Sequence, residues 1–322
     1  MAELNKISKN ILRITIDNPS TPNDKLYWIN IFNAGKAEIE YLRKNFNFNL
    51  NHLQASSSKI SAQRPSIEYG DGYLFLILHF PVMINGQIIP EEVDFFINHG
   101  HLITLHNNHI LALNDFFNLC KKDESSFLAY QNESSAVLLY ELLGKLMLGC
   151  YPILDKNSID IYKVEEEIFA NEQKSAVAGI LSLRHNIINF RKIIQNHKNI
   201  LKKLMEMEST VIHQENIKNY YAELVEHSKT IWEILDNQKE MVEVLYQTNE
   251  SLLNYKLNDV IKTLTVFSVI LYPLMLIASI FGMNTVKGMP LVDSDYGFWV
   301  LLCLMVLSSL GMLLFFKKKK WL

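Results

Sequence analysis

The chain has 322 residues, 49% of them hydrophobic, and a formal net charge of −3 at neutral pH. Its length accommodates more than one domain. Its acidic balance, masked in part by four lysines at the C-terminus, argues against nucleic acid as a partner and suits one that attracts cations. Cys120, Cys150 and Cys303 form no C-x-x-C pair, so neither a disulfide framework nor a structural zinc site is implied.

The first third alternates strand and helix signals. Residues 11–16 and 27–32 are β-branched and aromatic runs between Asn-Pro and Asn-Asp turns, which predicts strands. Residues 37–46 have helical spacing. Residues 73–80 are almost continuously apolar, the pattern of a strand buried on both faces, and Gly70-Asp71-Gly72 turns the chain into it. Asn85-Gly86 predicts a hairpin turn into 87–89, with further strands at 93–97 and 102–105 and helices at 110–120 and 126–148. Beyond residue 155 glycine almost disappears and charged residues interleave with Leu, Ile and Val at helical spacing. Two long helices are predicted, 155–207 with a break near Gly179, and 213–281. The second would be roughly 100 Å long and needs neighbours along its length.

Near the C-terminus, residues 263–281 form an uncharged apolar run, and residues 298–316 a second one that ends in Lys317-Lys318-Lys319-Lys320. Each would be roughly 28 Å long as a helix, enough to cross a bilayer core. No apolar stretch of comparable length precedes them and the N-terminus lacks a signal-peptide core, so the part before 262 is predicted to be cytosolic. The lysine run places the C-terminus on the same side, and two spans return the chain there. The predicted fold class is an α+β cytosolic domain, long stalk helices and a two-helix transmembrane hairpin. The divisions are a domain at 1–150, a stalk at 151–262, a first span at 263–281, a motif and external loop at 282–297, a second span at 298–316 and a basic tail at 317–322. No P-loop, dinucleotide fingerprint, zincin motif or nucleophile elbow is present, so an enzyme has no foothold.

On a 3.6-residue turn, Asn258, Thr265, Ser268, Tyr272 and Ser279 share one face of the first span, completed by Ile261 and Met275. Such a stripe faces another helix or a water-filled path, not lipid. Both readings stand on periodicity alone. Two spans cannot enclose a pore, so conduction requires several copies around an axis, with the first span inside and the second toward lipid. The stripe ends at Gly282-Met283-Asn284. A ring of amide and carbonyl oxygens there could hold a divalent ion with its waters, which suits magnesium.

These residues resemble the CorA family of divalent metal-ion transporters, whose Gly-Met-Asn signature matches Gly282, Met283 and Asn284. Asn258 at the inner mouth, Pro273 midway along the span, the basic tail, and Gln63-Arg64-Pro65-Ser66-Ile67-Glu68 before the buried strand are similar to family features. The resemblance implies a funnel-shaped homopentamer in the cytoplasmic membrane that admits Mg2+, with Co2+ or Ni2+ as passengers. It implies Mg2+ as transported and regulatory ion and no other cofactor. The implied pore lining adds Leu264 to the stripe, and Ile261, Leu264 and Met275 would form a hydrophobic constriction. Family members often carry Thr where this chain has Met275, which supplies no oxygen to a passing ion. In the external loop, Asp293 and Asp295 would attract cations, opposed by Lys287. Glu223 resembles the family's regulatory stalk acid, with the expected partner position falling at Asn85. The alternatives are a zinc transporter of the same superfamily and a non-conducting membrane-anchored scaffold. His99, His101, His106 and His109 lack a matching carboxylate or Cys and are predicted to be surface or turn histidines, and His79 a satisfied core histidine.

Overall fold

The structure, a computed structural model, describes residues 3–6, 8–17, 25–57, 64–122, 134–170, 172–206, 215–284, 290–291 and 294–321. It comprises two compact units, Met1–Leu245 and Tyr246–Leu322.

In the first unit, strands β1 (Glu3–Lys6), β2 (Ile11–Asp17), β3 (Lys25–Phe32), β4 (Ser66–Gly70), β5 (Tyr73–Ile84), β6 (Gln87–Asn98) and β7 (His101–His106) form one sheet in the order β1-β2-β3-β7-β6-β5-β4. All neighbours are antiparallel except β3 and β7. A parallel pair needs a long crossover. Here the intervening segment holds helices α1 (Lys36–Phe46) and α2 (Leu50–Ala55) as well as β4 to β6. The predicted strands at 87–89 and 93–97 are one strand, because the hairpin register runs unbroken from Ile84–Gln87 to Leu74–Ile97. Asn85 and Gly86 both have positive φ, 51° and 78°, as a two-residue hairpin turn requires.

Helices cover both faces of the sheet, which explains the continuous apolar run of β5. On one face Leu42, Phe48 and Leu53 from the α1–α2 region pack on Ile29, Ile31, Phe75, Ile77, Phe96 and Leu105. On the other face Trp28 meets Phe116 and Phe117 of α3 (Leu111–Lys122), with ring centroids 5.5 and 5.0 Å away. Helix α4 (Ser135–Leu148) is tied to the sheet by Ser135 Oγ, which donates to the Asn98 carbonyl. Of the helix predicted at 126–148, residues 126–133 lie outside the described residues.

The expected helix over 155–207 is three helices, α5 (Tyr151–Phe169), α6 (Gln173–Ile194) and α7 (His197–Glu206). The break falls after Phe169, not at Gly179. Gly179 lies inside α6, where an added Cβ would stand 2.5 Å from Val164 Cγ2. It is a point of close approach to α5, not a breaker.

Helix α8 (Glu215–Phe281) is continuous over 67 residues, about 100 Å at 1.5 Å per residue. In the first unit it buries Tyr221, Leu224, Ser228, Ile231, Leu235, Gln238, Val242 and Leu245, an alternation of three and four that draws one line along the helix. Tyr221 donates to the Ala136 carbonyl at 2.9 Å and Gln238 to the Leu154 carbonyl at 2.8 Å. Arg191 of α6 lies over the Trp232 ring at 4.5 Å and pairs with Asp236.

Candidate functional site

The second unit holds the end of α8 and helix α9 (Gly297–Lys318). By length and composition three helical stretches could cross a membrane: Ser135–Phe169, Lys218–Phe281 and Gly297–Lys318. The first corrects the reading that no comparable apolar stretch precedes residue 263. Half of its apolar window is buried within the protein, by Leu138, Leu139, Leu142, Leu143, Leu146 and Met147, so its apolarity is accounted for by the core. The other two windows are almost wholly uncovered. Phe298 and Trp299 open α9, and Phe315, Phe316, the lysines and Trp321 close it, an arrangement suited to two membrane–water boundaries.

At ~100° per residue, Asn258, Ile261, Leu264, Thr265, Ser268, Tyr272, Met275, Ser279 and Gly282 occupy an arc of roughly 120° on α8. Leu264 and Thr265 mark its two sides. Most of this arc is open: Ile261 is 50% exposed, Leu264 65%, Tyr272 67% and Met275 63%, while Thr265 and Ser268 are half-buried. The more shielded line lies opposite, through Val266 (4% exposed) and the half-buried Ile270, Pro273, Leu274, Ile277 and Phe281. Helix α9 shields a line of its own at Leu301, Met305, Ser308, Met312 and Phe316. Each helix of this unit thus has one more shielded line, and on α8 that line lies opposite the polar arc.

The side chains on the arc are available. Thr265 Oγ1 donates to the Ile261 carbonyl at 2.7 Å, which leaves its lone pairs outward. Ser268, Tyr272, Ser279 and Asn284 make no side-chain hydrogen bond to any described residue. On α9, Ser308 Oγ is spent on the Met305 carbonyl at 2.9 Å.

Helix α8 ends at Phe281. Gly282 N–H still donates to the Ala278 carbonyl at 2.9 Å, whereas Met283 N–H reaches back three residues to Ile280 at 3.3 Å. Gly282 has no positive φ, so glycine is not required there for the turn itself. What it supplies is a missing side chain on an exposed position of the arc. Met283 and Asn284 are exposed too. Asp295 is exposed before α9. Asp293 and Lys287 lie outside the described residues.

Glu223 stands apart from this arc, in the first unit. One of its carboxylate oxygens accepts from the Tyr140 hydroxyl at 2.7 Å, and the other lies 3.8 Å from His227 Nε2. Tyr140 stacks on Tyr220 at 4.8 Å. Burial raises the neighbouring Glu141 carboxyl, Lys145 opposes this, and the Glu223 charge adds to it. Asn85 is exposed at the tip of the β5–β6 turn, beside Gly86, whose carbonyl accepts from Asn186 of α6 at 2.9 Å.

The histidines are dispersed, and no three His, Cys, Asp or Glu side chains converge on a metal position among the described residues. His106 is no surface residue. It is buried against Asn30 Oδ1 at 3.0 Å, and burial, then the nearby His109 charge, lowers it to about 4. His79 is only half satisfied. Its Nε2 lies 3.1 Å from Glu92, while Nδ1 is buried without a partner among the described residues. Sequence reasoning passed over Glu92 and Asp94, although Val93-Asp94-Phe95 puts a carboxyl inside an apolar strand.

A family model described as CorA-like Mg2+ transporter protein matches residues 23–318. The cobalt/magnesium transport protein CorA of Thermotoga maritima is 26% identical over 306 residues, 94% of this chain and 84% of that protein. The complete structure of the CorA magnesium transporter from Methanocaldococcus jannaschii matches with a TM-score of 0.84 at 21% identity, over 92% of each chain. The ZntB cytoplasmic domain from Vibrio parahaemolyticus matches with a TM-score of 0.59 at 14% identity, over 77% of this chain and 100% of that domain, a likeness of fold alone.

Proposed function

The chain belongs to the CorA-like Mg2+ transporter family, a family of membrane ion transporters and not of enzymes, and we propose that it carries Mg2+ inward through a pore built from several copies. The observation that carries this is the open arc of α8. A polar stripe inside a membrane does not face lipid, and the more shielded line of α8 lies on the opposite side. Another copy's first span, set around a wet axis, completes it. The family likeness supports five copies, the cytoplasmic membrane as location and both termini in the cytoplasm.

In this reading Gly282, Met283 and Asn284 form the outer ring, and Asn284 offers amide oxygens to a hydrated ion, which dehydrates reluctantly. Ser268, Tyr272 and Ser279 supply hydroxyls along the path, and Asn258 stands at its inner end. Ile261, Leu264 and Met275 make a constriction that closes by dewetting. Asp295, with Asp293, draws cations to the mouth. Cytosolic Mg2+ closes the path through acids between subunits, with Glu223 among them. Co2+ and Ni2+ follow the same route. The fold shared with the ZntB domain does not by itself favour zinc.

The test is Mg2+ flux into liposomes that hold the natural chain or Asn284→Ala. Asn284 is exposed, so its loss leaves the fold intact while flux falls. Each lost hydrogen bond to the ion's shell is worth ~1 kcal/mol, and around a ring of copies the loss reaches roughly a hundredfold or more. Equal flux from both chains, or none from either, would leave a membrane-anchored scaffold as the better description.

A further inference from the structure

The transport path makes no use of the turn that closes α9. There the chain caps its own last carbonyls. Lys320 N–H donates to the Lys317 carbonyl at 3.1 Å and Trp321 N–H to the Phe316 carbonyl at 3.0 Å, the paired bonds of a Schellman cap. The apolar contact that accompanies such a cap is present too. The Trp321 ring stacks on Phe316, with centroids 5.8 Å apart and planes at 29°, and Phe316 is buried. The cap needs one residue in the left-handed region, and here it is Lys320, with φ 56°. Glycine is the usual occupant, because a Cβ is costly there. Among the described residues the other positive-φ positions are Gly72, Gly86, Asn33, Asn47, Asn85, Asn108 and Leu291. A lysine held where its backbone is disfavoured points to a use for its side chain.

Lys317, Lys318, Lys319 and Lys320 are all exposed, and none is in an ion pair among the described residues. Lys317 to Lys319 suit the negative end of the helix dipole. At ~100° per residue they point in three directions, and Lys318 stands opposite the more shielded line that ends at Phe316. The folded turn therefore sets ammonium groups around the foot of one apolar helix, beside an indole that is 42% exposed. We infer that this turn binds the phosphate of an anionic phospholipid, with the lysines on the phosphate oxygens and Trp321 against the glycerol and upper acyl chain. Lysine binds phosphate as a mobile point charge, and indoles settle at the headgroup level. Basic residues just outside a membrane helix favour anionic headgroups. A zwitterionic headgroup carries its own ammonium beside the phosphate and gains less. The inference rests on α9 crossing a membrane, and not on Mg2+ flux.

Lysine acetylation, read residue by residue by mass spectrometry, tests it on the full-length protein in phosphatidylcholine nanodiscs with rising fractions of phosphatidylglycerol. The anionic lipid should slow acetylation of Lys317 to Lys320 severalfold and leave the exposed Lys163 of α5 unchanged. Lys320→Gly keeps the cap and removes one charge, so the phosphatidylglycerol fraction for half protection of Lys317 to Lys319 should rise roughly fivefold. Trp321→Ala keeps all the lysines and removes the stack, and should raise that fraction severalfold as well. In phosphatidylcholine alone Lys320→Gly should melt no lower than the natural chain, because glycine accepts the turn. A lower melting temperature would show that the lysine serves the cap itself, and the inference would be wrong. It also fails if phosphatidylcholine or inorganic phosphate protects the lysines equally well. Protection of Trp321→Ala equal to that of the natural chain would leave surface potential as the whole effect and would overturn the site. Retention of the chain in alkali-washed membranes reports separately that α9 is a span.

Discussion

Leu264 and Val266 are apolar residues two positions apart on one membrane helix, and the same substitution should affect them in opposite ways. Val266 is 4% exposed on the more shielded line, whereas Leu264 is 65% exposed on the open arc. Val266→Asn places an amide where no partner waits, at ~1–3 kcal/mol, and removes packed methyl groups as well. A total of about 3 kcal/mol lowers the melting temperature by roughly 6–12 °C for a protein of this size class. Leu264→Asn should cost less than ~0.5 kcal/mol, because the new amide faces water. It should also raise Mg2+ flux, because an apolar constriction becomes wettable. The assays are thermal unfolding of the detergent-solubilised protein and liposome flux, on both variants side by side. Equal loss of stability would show that the Leu264 side is covered like the Val266 side, and the reasoning that places a water path there would be wrong.

Glu223→Gln should make flux less sensitive to magnesium inside the liposome, with several-fold more needed for half inhibition. A natural chain whose flux ignores internal magnesium altogether would remove the gating proposal. Gly297→Ala should destabilise the start of α9 by ~1–3 kcal/mol, because an added Cβ would meet the Leu291 carbonyl at 2.0 Å. An unchanged melting temperature would contradict that packing. His197 is fully buried, its Nε2 donating to the His79 carbonyl at 2.7 Å, and burial holds it near 4 against an ordinary 6.5. Between these values the unfolded chain binds a proton that the folded chain refuses, so stability falls as pH drops from about 6.5 to 4. The loss approaches ~3 kcal/mol. Melting temperatures across that window should show a slope that weakens in His197→Gln, and an identical slope would refute the assignment.

Periodicity alone marked the arc from Asn258 to Ser279, because a helix of fixed pitch converts spacing into direction. Asn85-Gly86 announced its hairpin because few residues accept positive φ twice in succession. Gly179 misled, because a missing side chain serves close packing as readily as a break, and only Val164 on the neighbouring helix shows which. The apolar stretch from Ser135 was likewise ambiguous, since burial in a core and burial in lipid call for the same residues.

Local chemistry in the chain therefore determined the two apolar spans, the polar face of the first, its end in Gly282-Met283-Asn284 and the strand signals of the N-terminal sheet. Only the tertiary structure decided which side of α8 is shielded, that β3 and β7 run parallel, and that Tyr140 holds Glu223. Spacing specifies the direction in which a side chain points along its own helix or strand. What it meets there depends on segments far away in the chain, and that long-range pairing is settled by packing.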